Sequence, residues 1–189
     1  LTVAELKKIW QPSSEGSVET WKDVRSSFPA EPLTLVGPGL ESGTFDFFTQ
    51  AIVGQEGESR SDYVASEIDA EIADKIATAP GGLGYFGLAH ATRNAARLRI
   101  VAIDDGDDEN GKGAVAPNRE TVTDGTYQPL SRPVFLYVSV KEAERREVAD
   151  FVAFYLRSAR LVAPDVGYVP LPPRVFELAR ERFAKRIVG

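Results

Sequence analysis

The sequence predicts an α/β fold, and three observations carry that prediction. Short β-favouring runs alternate along the chain with stretches whose apolar residues recur at helical spacing. A segment rich in glycine and hydroxyls, Gly37-Pro38-Gly39-Leu40-Glu41-Ser42-Gly43-Thr44, joins one such run to one such stretch. At 189 residues, 43% of them hydrophobic, the chain is large enough to bury a sizeable core.

The first helix is predicted to open at Thr2, because Glu5 stands three residues later, as a capping box requires, and Leu6 and Ile9 follow on one face. Gln11 to Ser17 reads as a polar loop, and Trp21, Val24 and Phe28 suggest a short helical turn before Pro29. Leu33 to Val36 is a compact strand that Gly37-Pro38-Gly39 breaks, and Phe45 to Val53 is the helix after it. Ile68, Ile72 and Ile76 repeat every four residues, which predicts a helix over Glu67 to Thr78, ended by Ala79-Pro80-Gly81-Gly82. Leu83 to Phe86 then reads as a short strand, His90 to Arg97 as helix, Leu98 to Ile103 as strand and Asp104 to Gly113 as an acidic loop. Pro133 to Val140 is expected to be the strongest strand, buried on both faces, since Val134, Phe135, Leu136, Tyr137 and Val138 form one apolar run. Lys141 to Ala159 and Pro173 to Ile187 are expected to be amphipathic helices, the second with Val175, Phe176, Ala179 and Phe183 on one face.

Composition removes several function classes. Lys and Arg number 22 against 28 Asp and Glu, a net charge of −6, with no basic stripe interleaved with aromatics, so nucleic acid is not an expected partner. No stretch approaches the roughly 18 consecutive apolar residues of a membrane span. Absence of cysteine excludes disulfides and thiolate metal sites and fits an exported protein. Leu1 to Trp10 lacks the basic start and apolar stretch of a signal peptide, which leads to the expectation of a mature, trimmed or partial chain. His90 is the sole histidine, so a histidine-based triad would have to use it, and no metal or cofactor is expected. The acidic loop departs from an EF-type calcium loop: counted from Asp105, its sixth position is Asn110 and its closing Glu is missing.

The informative segment is the one from Gly37 to Thr44. Unpaired N–H groups at a helix start sit at the positive end of the helix dipole and can hold an oxyanion without a lysine. Ser42 and Thr44 could add hydroxyl donors and Gly43 permits close approach, although Ser42 could equally serve as a plain helix cap. A nucleotide P-loop is excluded because no Lys follows Gly43, and a nucleophile elbow because the serine lies one place too late.

Over Glu41-Ser42-Gly43-Thr44-Phe45-Asp46-Phe47-Phe48 the chain resembles the PstS family of periplasmic phosphate-binding proteins of ABC transporters. The likeness extends from Leu1 to Trp21 with the following Lys22-Asp23, through Ser59-Arg60-Ser61-Asp62-Tyr63 and Pro80-Gly81-Gly82-Leu83-Gly84-Tyr85. It continues in Pro129-Leu130-Ser131-Arg132-Pro133-Val134-Phe135 and Gly167-Tyr168-Val169-Pro170-Leu171-Pro172, in family order. The resemblance implies a type 2 periplasmic-binding fold. Residues 1–132 would form mainly the second lobe, with the anion-binding loop and helix at 37–53, and residues 133–189 the return strand and helices completing the first. The N-terminal part of that first lobe, which carries phosphate contacts of its own in the family, is absent and is expected in the same or another chain.

The implied function is capture of inorganic phosphate in an interlobe cleft for delivery to an ABC-type permease, outside the cytoplasm and without catalysis. Ser42, Gly43 and Thr44 are the implied ligands. The family's Arg and Asp ahead of the serine are replaced here by Pro38 and Leu40. Arg60 is expected to supply the missing guanidinium, the alternative being an ion pair with Asp62 or Glu58. Glu41 or Asp46 is expected to supply the carboxylate that accepts the phosphate proton, with helix-start stabilisation the alternative for Asp46. An interaction or regulatory module that keeps the fold without high-affinity transport is the alternative function.

Overall fold

Thr2 caps the first helix as expected: its hydroxyl accepts the Glu5 N–H at 3.1 Å, and the Glu5 carboxylate accepts the Thr2 N–H at 2.9 Å. The structure, a computed structural model, describes residues 1–187. Helix α1, Val3–Trp10, buries Leu6, Ile9 and Trp10. A second capping box, Thr20 with Asp23, opens the short α2, Trp21–Val24. The Trp21 indole N–H reaches the Gly81 carbonyl at 3.1 Å. Gly81 has φ of 62°, and a Cβ there would also overlap the Pro32 carbonyl, so only glycine fits this crossing.

Three parallel strands form the sheet in the order β2-β1-β3: β1 Thr34–Pro38, β2 Val64–Ser66 and β3 Gly82–Gly84. Val36 is in register with Val64 on one side and Gly84 on the other. Helices α3, Gly43–Phe48, and α4, Asp69–Thr78, follow β1 and β2 respectively. α3 runs on without a break into a π-turn, Thr49–Val53, that Gly54 ends in the left-handed conformation at φ of 99°. The chain leaves β1 to one neighbour and returns to the other, so β1 is where strand order reverses. In open α/β sheets ligands bind outside the carboxyl ends of the strands at such a point.

The main core gathers on Trp10, which is 1% exposed. Its ring meets Phe48, Tyr63 and Tyr85 edge-on at centroid distances of 5.7, 5.5 and 4.9 Å, and Phe48 stacks on Tyr85 at 3.7 Å. Burying an indole removes on the order of 150–250 Å² from water, roughly 4–6 kcal/mol at about 25 cal/mol/Å² as an upper estimate. Leu35, Ile52, Leu83, Ile103 and Tyr127 belong to the same cluster.

Two expected strands are absent. Over Leu98 to Ile103 the chain makes only an isolated antiparallel bridge, Ile103 with Val115 across the acidic loop, and the neighbouring Asp104 bridges to Thr2. Pro133 to Val140, expected to be buried on both faces, is neither strand nor buried: Phe135 is 67% exposed and Tyr137 88%. The physical reason is the same in both places, since a β-favouring run becomes a strand only when a neighbour accepts a continued ladder, and among the described residues the first run finds one isolated antiparallel bridge and the second none. Three elements went unforeseen or shifted. β2 is too short to show a period, α6, Arg119–Thr123, is capped by Asn118, and α5 spans Leu88–Arg93, ahead of the expected helix. Beyond the exposed run a 3₁₀ turn, Glu142–Glu144, leads into α7, Arg146–Val162, which packs against α8, Pro173–Ala184. The face of α8 bearing Val175, Phe176, Ala179 and Phe183 is partly covered at best.

Candidate functional site

β1 delivers the chain to the C-terminal edge of the sheet, and the aromatic cluster holds it there. The Tyr63 hydroxyl donates to the Pro38 carbonyl at 2.8 Å, while Tyr85 packs beneath Gly37, where a Cβ would lie 3.1 Å from its ring. Burial, with the negative charge of Glu67 second, pushes the Tyr63 phenol up, and burial foremost pushes Tyr85 up, so both phenols stay protonated. The Tyr85 hydroxyl is buried without a partner among the described residues.

From Gly39 the chain turns, the Ser42 N–H donating to the Gly39 carbonyl at 3.2 Å, and α3 begins. The Ser42 hydroxyl accepts the Thr44 N–H at 3.2 Å, so Ser42 is the helix cap. Asp46 lies in the first turn, where a carboxylate suits the dipole, and Glu41 projects into solvent just ahead of it. The loop and the first turn together place Glu41, Ser42, Gly43, Thr44 and Asp46 at the carboxyl end of the central strand. They form an open face and not a cavity. A separate depression of about 440 Å³ is lined by Lys7, Gln11, Gly54, Gln55 and Glu58, at the far end of the α3 segment.

Arg60 stands apart from this group. It is 5% exposed, and its fork is taken by Asp62, with Nε to one carboxylate oxygen at 2.5 Å and Nη2 to the other at 2.8 Å. Its Nη1 donates to the carbonyls of Ile9 and Val18 at 3.2 and 3.0 Å. These bonds, side-chain hydrogen bonding foremost, hold the Asp62 carboxyl below its ordinary range. The expected alternative, an ion pair with Asp62, is therefore formed, with the Arg60 side chain buried and the Asp62 side chain 38% exposed. A guanidinium committed in this way ties α1 to the sheet and has no fork left to present to an anion.

Another arginine, Arg132, lies against the first turn of α3. Arg132 Nη2 donates to the Gly43 carbonyl at 2.9 Å, and its guanidinium carbon lies 4.7 Å from the centroid of Phe47, on the helix that Gly43 begins. Sequence reasoning missed it because 89 residues separate the partners. The available signal was an arginine fixed between Ser131 and Pro133 within a segment already matched to the family. A carboxylate was missed as well: that of Glu67, just past the end of β2, fills the space beside Gly39 that a Cβ would need.

His90 sits on α5 with Nε2 3.7 Å from an Asp69 carboxylate oxygen. The acidic loop is braced internally, the N–H groups of Gly106, Asp107 and Glu109 each donating to an Asp two residues earlier. Among the described residues no helix is long and apolar enough to cross a membrane.

Comparison with known proteins agrees with this fold. Residues 1–159 match the PBP superfamily domain. The chain is 45% identical over its whole length to the protein SphX of Synechocystis sp. and 33% identical over 92% of its length to the phosphate-binding protein PstS of Staphylococcus aureus. It spans about half of these curated relatives, 55% and 50% of their lengths. A crystal structure of a possible phosphate binding protein from Planctomyces limnophilus superposes over the whole chain with a TM-score of 0.84 at 38% identity, and 65% of that protein is covered. PstS from Borrelia burgdorferi, 18% identical, shares the fold with a TM-score of 0.65 over 91% of this chain and 64% of its own.

Proposed function

The chain belongs to the PBP superfamily, and from that premise we propose that it is a lobe of a solute-binding protein that captures inorganic phosphate for an ABC importer. One observation carries the reading: Ser42, Gly43 and Thr44 open a helix at the carboxyl end of the central strand of a parallel sheet. The Gly43 N–H, which makes no bond to another described residue, and the positive end of the dipole meet there, and an oxyanion is the ligand they suit, while the Ser42 and Thr44 N–H groups are held by the Gly39 carbonyl and the Ser42 hydroxyl. The Thr44 hydroxyl forms no bond to another described residue and is free to donate. Nothing in this set activates a nucleophile, so the protein binds and releases without chemistry, and it works outside the cytoplasm, where importers collect their solutes.

The site is open on one side, and the apolar face of residues 133–187 is open too. Both are completed by the remainder of the first lobe, in the same chain or a partner chain, which would cover Phe135 and Tyr137 and close over the anion. Delivery to a permease follows from such closure. The departure at Pro38 and Leu40 favours a second reading, an interaction or regulatory module that retains the fold without high-affinity transport.

Calorimetric titration of the gene product carrying this chain, first with phosphate and then with sulfate, separates the two. Phosphate binding that Thr44→Val weakens roughly tenfold or more is the expected result, since a hydrogen bond to a charged ligand is lost at nearly constant volume. No phosphate binding, or binding indifferent to Thr44→Val, would overturn the transport reading and leave the module.

A further inference from the structure

Between residues 1 and 132, the most exposed large apolar side chains are Leu40 at 72% and Ile68 at 55%. They are neighbours. β1 and β2 run parallel with Pro38 in register with Ser66, the Glu67 side chain lies against Gly39, and the pair follows one residue later on each strand exit. Building on the reading of the protein as a two-lobed phosphate receptor, we infer that Leu40 and Ile68 form an apolar latch on which the remainder of the first lobe closes. The contact sets how long the bound anion is held.

Neither residue serves the local structure. Leu40 follows Gly39 in the turn that the Ser42 N–H closes on the Gly39 carbonyl, where a small polar residue or Pro is usual. Ile68 is the N-cap of α4, a position at which Ser, Thr, Asp or Asn stabilises a helix and Ile does not, and its own N–H donates to the Ser66 hydroxyl at 3.2 Å. Exposed apolar residues scattered singly need no explanation, but two side by side on one edge form a patch that suits another surface.

The occupant is the remainder of the first lobe on two grounds, position and charge. Leu40 and Ile68 stand just past the carboxyl ends of β1 and β2, on the edge where Ser42, Gly43 and Thr44 open α3, so a lobe that closes over the anion meets them. The curated relatives are about twice as long as this chain, which matches 55% and 50% of their lengths, and that leaves enough chain for such a lobe. Glu41, Glu67 and Asp69 flank the pair, and residues 1–132 hold 21 Asp and Glu against 12 Lys and Arg. Residues 133–187, the part assigned to the first lobe, hold 10 Lys and Arg against 7 Asp and Glu. Opposite charge draws the two sides together, and the apolar pair supplies a contact from which water is excluded.

A contact made only in the closed form stabilises that form and leaves the open one unchanged. Phosphate enters the open form and departs only after the latch has parted. The latch therefore slows release and leaves entry alone, and it does so without touching the anion.

The test uses the full gene product carrying this chain, unaltered, as the double variant Leu40→Ser with Ile68→Ser, as the apolar control Leu40→Met with Ile68→Leu, and as Thr44→Val. Both side chains are in water in the open form, so the melts of the two double variants without phosphate are expected to match that of the unaltered protein. Calorimetric titration with phosphate gives the affinity, and loss of radiolabelled phosphate after dilution into unlabelled phosphate gives the release rate. The serine pair is expected to bind phosphate roughly tenfold or more weakly, with the whole loss in faster release, and the apolar control to stay close to the unaltered protein. If the serine pair releases phosphate at the unaltered rate while Thr44→Val weakens binding, the latch is overturned and the phosphate seat stands. Unchanged affinity together with reduced phosphate uptake by cells that depend on this protein would also overturn it, and would assign the patch to the permease. If the unaltered protein fails to bind phosphate, the reading of the seat falls and the latch with it.

Discussion

The chain treats its aromatic residues in two opposite ways. Around Trp10, four rings from α1, α3, the approach to β2 and the end of β3 lock together, three of them edge-on to Trp10 and Phe48 stacked on Tyr85. Between Phe135 and Tyr168, a comparable apolar load lies open: Phe135, Tyr137, Phe151, Phe154 and Tyr168 are all more than half exposed. The first region is a finished core that fixes one wall of a site. The second has the composition of a core without its other half, since exposed apolar surface on this scale marks a place where another surface belongs. Hydrophobicity along the sequence is similar in the two; what differs is whether the fold supplies a partner.

The largest effect is expected where the finished region is opened. Trp10→Ala removes the ring that Phe48, Tyr63 and Tyr85 all touch, and should cost about 3–5 kcal/mol by loss of burial and creation of a cavity. Chemical denaturation monitored by circular dichroism would measure it. Loss of only a few tenths of a kcal/mol would mean that the region is as loosely packed as residues 133–171, and the contrast would collapse.

Next in size is the arginine inside that region. Arg60→Met keeps most of the volume and removes the bonds to Asp62 and to the Ile9 and Val18 carbonyls, which leaves two buried acceptors unpaired. A loss of roughly 2–3 kcal/mol is expected from those orphaned groups. The pair also gives a pH signature. Arg60 holds the Asp62 carboxyl below its ordinary range in the folded state, so the folded protein binds that proton less readily than the unfolded chain. The stabilisation is complete above the unfolded value, near pH 4, and disappears as pH falls toward the lowered folded value. Denaturant melts between pH 7 and pH 3 should therefore fall less steeply in Asp62→Asn than in the unaltered protein. Equal slopes would mean that the pair does not stabilise the fold.

These contrasts also mark what could be read in advance. The caps at Thr2 and Ser42, the β1 strand and the helix carrying Ile72 were legible because each depends on residues within one turn of one another. The turn from Gly39 into α3 was legible for the same reason. Arg60 was assigned to the anion from its nearness in sequence to α3, whereas its environment is set by carbonyls 42 and 51 residues away. Arg132 went unseen for the converse reason, a partner 89 residues distant. The strand expected at Pro133 to Val140 follows the same logic, because apolar periodicity records what a segment can bury and only the rest of the fold decides whether it does.

The smallest effect tests the open region directly. Tyr137 is 88% exposed and Phe135 67%, and their rings lean on each other at a centroid distance of 6.2 Å with little else over them. Replacing both by Ser should change the stability of the 189-residue chain by roughly 0.5 kcal/mol or less, because the side chains are already in water and have almost no burial to lose. The same double substitution in a protein that carries the first lobe should cost several times more, since there the two rings would be covered. A small loss in the first case and a large one in the second would identify the run as half of an interface. Equal, small losses would mean that the run faces solvent in the complete protein as well, and that the first lobe is completed by other surfaces.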